Sequence, residues 1–185
     1  LAGSGSPLTG AFDLQAAVVG RDLSVAQPEA DALLRGTARV DLSARRDTLG
    51  TTLRRLRVEA SGLTAQVQGK IASSGSDLTG TLAFADLGVL GAGYGGALQG
   101  TARLTGNWAE GRATLDATGT GLRVGQAQAD RLLRGKSDLR LDLALANGAV
   151  RVDTASLSNP QLRASATGSL KGDVQSLDLS ARLSD

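Results

Sequence analysis

The 185-residue chain contains no cysteine, no histidine and no methionine. No disulfide framework, thiol nucleophile, Cys/His metal centre or histidine general base can therefore be built from it. Aromatic residues are nearly absent too: Phe12, Phe84, Tyr94 and Trp108 are the whole set. Prolines number 3, and no apolar run approaches the ~18–20 residues of a membrane-spanning helix. The 20 basic and 18 acidic residues nearly cancel, leaving +2. They are interspersed, without the clustered Lys/Arg or stacking aromatics of a nucleic-acid reader. These absences argue against an enzyme, a metal protein, a cofactor protein and a nucleic-acid binder. The composition is nonetheless that of a folding chain: 41% is apolar, mostly Leu, Val and Ala. The chain opens on Leu1-Ala2-Gly3 without an initiating Met and reads as a segment of a longer protein.

What the sequence does have is alternation. Leu139-Arg140-Leu141-Asp142-Leu143-Ala144-Leu145 sets four leucines on one face. After Asn147-Gly148, a strong two-residue hairpin signal, Val150-Arg151-Val152-Asp153 continues the pattern. The same period of two runs through Phe12 to Val18, Ala38 to Ala44, Leu56 to Ala60, Leu63 to Gln68 and Leu78 to Phe84. It resumes in Leu98 to Leu104, Ala113 to Ala117, Leu162 to Thr167 and Leu177 to Leu183. About a dozen antiparallel strands are expected, each with one apolar and one wet face. Two stretches break the rhythm. Pro28 to Gly36 and Ala127 to Gly135 carry the marks of short helices: an early Pro in the first, acids near the start, Arg late and Gly as a stop.

Those stretches expose an internal repeat. Shifted by 99 positions, Leu23, Val25, Gln27, Ala30, Asp31, Leu33, Leu34, Arg35 and Gly36 fall on identical residues, Leu122 through Gly135. The register persists at Leu42/Leu141, Leu63/Leu162, Ala65/Ala164 and Gly69/Gly168. The expected organisation is one continuous unit over 1–185, built from two copies (about 8–86 and 107–185) joined by a Gly-rich turn at 87–97.

Many inward positions are small, including Ala16, Ala38, Ala44, Gly80, Ala102, Ala113, Ala117, Ala164 and Ala166. A closed sandwich would leave that interior underfilled. A long, strongly curved sheet with an open apolar groove, with the two short helices packed on it, is the alternative. Its lining would be Phe12, Leu14, Val40, Leu42, Leu56, Val58, Val67, Ile71, Leu82, Phe84, Leu98, Leu104, Leu115, Leu141, Leu143, Val152 and Leu170. Such a trough suits acyl chains. At ~0.8 kcal/mol per exposed CH₂, a two-tailed lipid of about 30 methylenes faces more than ~20 kcal/mol in water. An oily track removes most of that barrier without any polar site residue. An ordinary hydrophobic core is the simpler account of any single leucine here.

Gly121 to Gly135, followed by a leucine-alternating strand, resembles the TamB branch of the AsmA-like proteins, within the bridge-like lipid transfer proteins. Phrases such as Leu98-Gln99-Gly100-Thr101-Ala102-Arg103-Leu104 are similar to that family as well. The resemblance covers essentially the whole chain. It implies a curved β structure with a hydrophobic groove (a β-taco), and a periplasmic place in a protein anchored in the inner membrane of a Gram-negative bacterium. It also implies a conduit for phospholipids toward the outer membrane. The alternative role it implies is a chaperone-like scaffold for outer-membrane protein assembly. That role involves the barrel partner TamA, contacted through another part of the full-length protein. The segment itself is expected to be monomeric.

Several motifs compete with this reading. Gly91-Ala92-Gly93-Tyr94-Gly95-Gly96 satisfies G-x-G-x-x-G, but Ala97 to Ala102 alternates as a strand where a dinucleotide site needs a helix. Arg45-Arg46 and Arg54-Arg55 with Arg57 are candidates for lipid phosphates, against the plainer reading as solvated strand faces. Asp31 and Asp130 read as first-turn helix acids, not catalysts. Trp108 reads as a packed residue or an edge marker.

Overall fold

The structure, a computed structural model, describes residues 2–6, 10–22, 33–34, 36–107, 109–146, 149–171 and 174–183. Twelve strands form one sheet: β1 (Ala2–Ser6), β2 (Ala11–Arg21), β3 (Thr37–Asp47), β4 (Gly50–Glu59), β5 (Leu63–Ile71) and β6 (Ser76–Phe84). The sheet continues with β7 (Gly95–Gly106), β8 (Glu110–Arg123), β9 (Lys136–Ala146), β10 (Ala149–Ser158), β11 (Leu162–Lys171) and β12 (Val174–Leu183). Spatial order equals chain order, every neighbouring pair is antiparallel, and β1 and β12 are the two free edges. The alternating segments all fall on these strands, within a residue at their ends. β1 is the strand that alternation misses, because Ala2-Gly3-Ser4-Gly5-Ser6 has no large apolar residue to alternate. Opposite Asn147-Gly148, which lie outside the described residues, Ala146 pairs with Ala149, the register a two-residue connection imposes.

Helix content is the correction. Among the described residues there is one α-helix, α1 (Ala127–Leu132), not two. It stops three residues short of Gly135: Leu133 closes it as C-cap, its N–H donating to the Ala129 carbonyl. Asp130 sits in the first turn, and its carboxylate accepts from the Val124 N–H at 2.7 Å. That fulfils the structural role expected of the acid. The first stretch, 28–36, lies mostly outside the described residues, as do Asp31 and Trp108; Leu33 is helical, as is Leu132. Residues Leu87–Leu90 form a 3-10 helix capped by Asp86, and Gly95 already belongs to β7. The G-x-G-x-x-G stretch thus runs from a 3-10 helix into a strand, with no helix N-terminus to meet a phosphate.

The offset of 99 recurs in the backbone. β3 and β9, and β4 and β10, have bounds displaced by 99; β5/β11 and β6/β12 agree within one residue. An extra residue sits in each copy at the same place. Arg54 bulges from β4 between Leu53 and Leu56, and Asp153 from β10 between Val152 and Ala155. Beside each bulge lies a glycine with positive φ, Gly69 (141°) and Gly168 (155°). A Cβ at either would be driven into a carbonyl oxygen of the next strand, that of Asp77 or Ser176. The bulge raises local twist, and glycine lets the neighbour approach.

Candidate functional site

The strand register sorts the side chains into two faces. Rows of paired positions cross the sheet from β2 to β12. One runs Ala16, Leu42, Leu56, Val67, Gly80, Ala102, Leu115, Leu141, Ala155, Ala166, Leu179. A second runs Val18, Val40, Val58, Ala65, Leu82, Gly100, Ala117, Leu139, Leu157, Ala164, Ala181. All seventeen residues proposed from the sequence lie on this face. Phe12, Leu14, Val40, Leu42, Leu56, Val58, Val67, Ile71 and Leu82 occupy β2 to β6; Phe84, Leu98, Leu104, Leu115, Leu141, Leu143, Val152 and Leu170 occupy β6 to β11. Others share the face outside that set: Leu139 and Leu177, which the alternating segments include, and Leu53 beside the bulge and Leu157, which they do not.

The shortage of bulk has a geometric cause. Several large residues face small ones across the strands, as in Leu14/Ala44, Ala65/Leu82, Leu82/Gly100, Ala102/Leu115, Ala117/Leu139 and Leu157/Ala164, while Leu42/Leu56, Phe84/Leu98 and Leu115/Leu141 meet as large pairs. Cross-strand neighbours lie ~4.5–5.5 Å apart, so a large side chain leans over its small partner and the surface is evened out.

No second layer covers this face among the described residues. The buried apolar set is small: Ala38, Ala44, Leu53, Ala117, Leu122, Leu133 and Val152. The accessible surface is 12125 Å². A globular monomer of 18.7 kDa exposes about 8,300 Å². The sheet is therefore a single layer whose apolar residues stay half-exposed. Among the described residues, cover gathers at one corner: Leu122 lies over Gly119, Leu133 of the α1 C-cap is buried, and Ser137 is fully buried. Asn159 ties this corner together, its Nδ2 donating to the Leu132 carbonyl at 2.8 Å and to Ser137 Oγ at 3.1 Å.

The opposite face is polar and self-paired. Arg54 binds Asp13 at 2.6 Å, Arg57 binds Glu59 at 2.6 Å, and Arg140 binds Asp116 at 2.7 Å; Arg112 pairs with Asp142. The hydrogen bonds from Arg54, Arg39 and Arg151 hold the carboxyls of Asp13, Asp41 and Asp153 below the ordinary carboxylate value. A depression of about 790 Å³ crosses this polar face, lined by Thr81, Gln99, Thr101, Asp116, Thr118 and Arg140 among others. Of its charged groups, Arg140 pairs with Asp116, and Asp138 accepts from Thr118 Oγ1 at 3.3 Å. No group of three or more potential metal ligands occurs among the described residues.

The arginines singled out from the sequence therefore part company. Arg54 and Arg57 are spent on polar-face ion pairs. Arg46 pairs with Phe12 across β2/β3 and lies on the apolar face, at its hairpin end. Among the described residues that the ladder places on this face, Arg46 is the only charged one. The signal is in the sequence: Arg46 has the parity of Ala38, Val40, Leu42 and Ala44.

No protein-family model, curated protein or solved structure matches this chain.

Proposed function

We propose that the apolar face is a track for phospholipid acyl chains, held in an open groove, and that the chain is a non-enzymatic lipid-conduit segment of the kind the TamB-like resemblance implies. The observation that carries this reading is the apolar surface across eleven strands with no layer over it among the described residues. A soluble domain normally hides such a surface, and one left open marks a binding site. Acyl chains suit it because they ask for area and offer no hydrogen bonds, and this face supplies area and almost no polar groups. Arg46 fits the same picture. A lone cation at the end of an oily track can hold a lipid phosphate while the tails run inward over Phe12 and Leu14.

The test is phospholipid binding, by mass spectrometry of gently purified protein and by titration with a fluorescent phospholipid. Leu82→Arg and Leu141→Arg should abolish binding while circular dichroism keeps its strand signature. Arg46→Gln should leave binding of a neutral diacylglycerol intact and weaken phospholipid binding several-fold. Folded Leu82→Arg and Leu141→Arg proteins that bind phospholipid as well as the parent would sink the reading. Photo-crosslinkers at Leu115 that trap polypeptide, with no lipid, would replace it with the assembly-scaffold role.

A further inference from the structure

We infer that the polar face carries an anion site at the α1 end of β9 and β11, built from Arg134, Lys136 and Arg163 with Arg182 beside them, and that its ligand is a phosphate ester. The observation that carries this is one exception in the charge pattern of the sheet. Where two charged residues of the described strands face each other across a seam, their signs are opposite: Asp13/Arg45, Arg39/Glu59, Asp41/Arg57, Lys70/Asp77 and Asp116/Arg140. Arg163 and Arg182 face each other with the same sign. Like charges set directly opposite cost stability, so this pair breaks the rule that the other seams obey. The strand on the inner side offers no relief, because Arg163 faces Ser158 of β10 there.

Two more cations converge on the same spot. Arg134, just past the α1 cap, and Lys136, at the start of β9, line one depression of about 380 Å³ together with Arg163. All four cations are exposed, and none forms an ion pair among the described residues. Asp138 is the one acid among the described residues lining the depression. Its carboxylate accepts from Thr118 Oγ1 at 3.3 Å and pairs with none of the cations. The first copy lacks the cluster. At the equivalent positions stand Thr37, Thr64 and Ala83 in place of Lys136, Arg163 and Arg182, and Glu59 in place of Ser158; only Arg134 has a basic counterpart, Arg35. The same strands form there without these cations, so the fold does not require them. Cations reaching one depression from different segments suit a tetrahedral phosphate, whose oxygens accept on several sides, better than a planar carboxylate. The depression is larger than a phosphate, and Ser158 and Gln161 add neutral hydrogen-bonding groups to its wall. Those suit the hydroxyls of a small alcohol esterified to the phosphate. The site lies on the face opposite the acyl track and does not depend on that track carrying lipid.

Titration of isotope-labelled protein with glycerol 3-phosphate, followed by NMR, tests this. Saturable shifts should gather at Gly135, Lys136 and Gln161. Lys136→Thr combined with Arg163→Thr, which restores the first copy's residues, should weaken binding about tenfold and leave the circular dichroism of the sheet unchanged. Arg103→Gln, which removes an ion-paired arginine of the same face, should leave binding as it was. Vesicles of phosphatidylcholine containing phosphatidylglycerol identify the source of the phosphate. Vesicle binding that falls in the double variant makes the ligand a lipid headgroup. Glycerol 3-phosphate binding that falls there while vesicle binding does not makes it a soluble ester. Shifts that are absent, never saturate or persist in the double variant, together with equal vesicle binding by the two proteins, would overturn the inference.

Discussion

The two halves of the sheet are close to a duplicate on one face and differ in charge on the other. On the apolar side nearly every position of β2–β6 meets an apolar residue 99 positions on. At one pair the sizes swap across the strands: Leu14 faces Ala44, while Ala113 faces Leu143. On the polar side four charges invert, while Arg57, Glu59, Lys70 and Asp77 become Ser156, Ser158, Ser169 and Ser176. Arg39 and Asp41 become Asp138 and Arg140; Asp13 and Arg54 become Arg112 and Asp153. Each set still finds partners, Arg39 with Asp41 within β3 and Arg140 with Asp116 across to β8. The difference teaches what this architecture demands. It needs apolar volume summed over facing strands, the bulge at 54/153, and the glycine beside it. It needs charges only to be matched, which is why exposed ion pairs, worth little each, are free to reverse.

The backbone demand should show the largest effect. Gly69→Ala forces a side chain at φ 141° into the Asp77 carbonyl, and β6 cannot yield because β7 holds it from outside. We expect a loss of about 3 kcal/mol in urea unfolding. Gly168→Ala meets the same obstacle at Ser176, but β12 is an edge and can shift, so about half that loss is expected. Equal losses would mean that the glycines answer to their own strands and not to the neighbour.

A smaller difference lies at the sealed corner. The first copy has Ala38 and Ala60 where the second has Ser137 and Asn159. Asn159→Ala leaves the Leu132 carbonyl and the buried Ser137 hydroxyl without that donor, at a cost of about 1–2 kcal/mol. Adding Ser137→Ala recreates the first copy's pair, and the double variant should recover part of the loss. Strict additivity in a double-mutant cycle would show that the two side chains are not coupled.

Most of this fold is legible because its period is two and its connections are short. Four leucines between Leu139 and Leu145 leave no other strand face to choose, and a meander needs no topology beyond chain order. β1 is illegible because its face on the apolar side is Gly3 and Gly5, which register places there and hydropathy does not. The end of α1 is hidden because Leu133-Arg134-Gly135 reads as helix, whereas Leu133 is buried as the cap. In the candidate site, parity places all seventeen residues on one face, but composition alone groups Arg46 with its neighbour Arg45. Adjacent residues of a strand point to opposite sides, so the doublet is two different environments. Leu53 escapes because the bulge at Arg54 shifts parity within β4, which no count along the sequence reveals.

The reversed charges give the smallest effect and the cleanest separation of the two faces. Asp13→Arg or Arg54→Asp alone should lower the urea midpoint only marginally, and the double reversal, which copies the second half's signs, should restore the parent. The acid limb sharpens this. Asp13, Asp41 and Asp153 have carboxyls held below the ordinary 3.8 by arginine hydrogen bonds. The unfolded chain therefore binds their protons first as pH falls. Their contribution is present in full above the ordinary carboxylate range and is lost as pH drops through the lowered folded values. Urea midpoints should be flat from neutral pH down toward that range and decline below it. The decline should keep its shape in the double reversal, because the carboxylate introduced at position 54 would then accept the hydrogen bond that Asp13 gives up. A midpoint that already falls at about pH 6 would place the titrating groups elsewhere, since the chain has no histidine to titrate there.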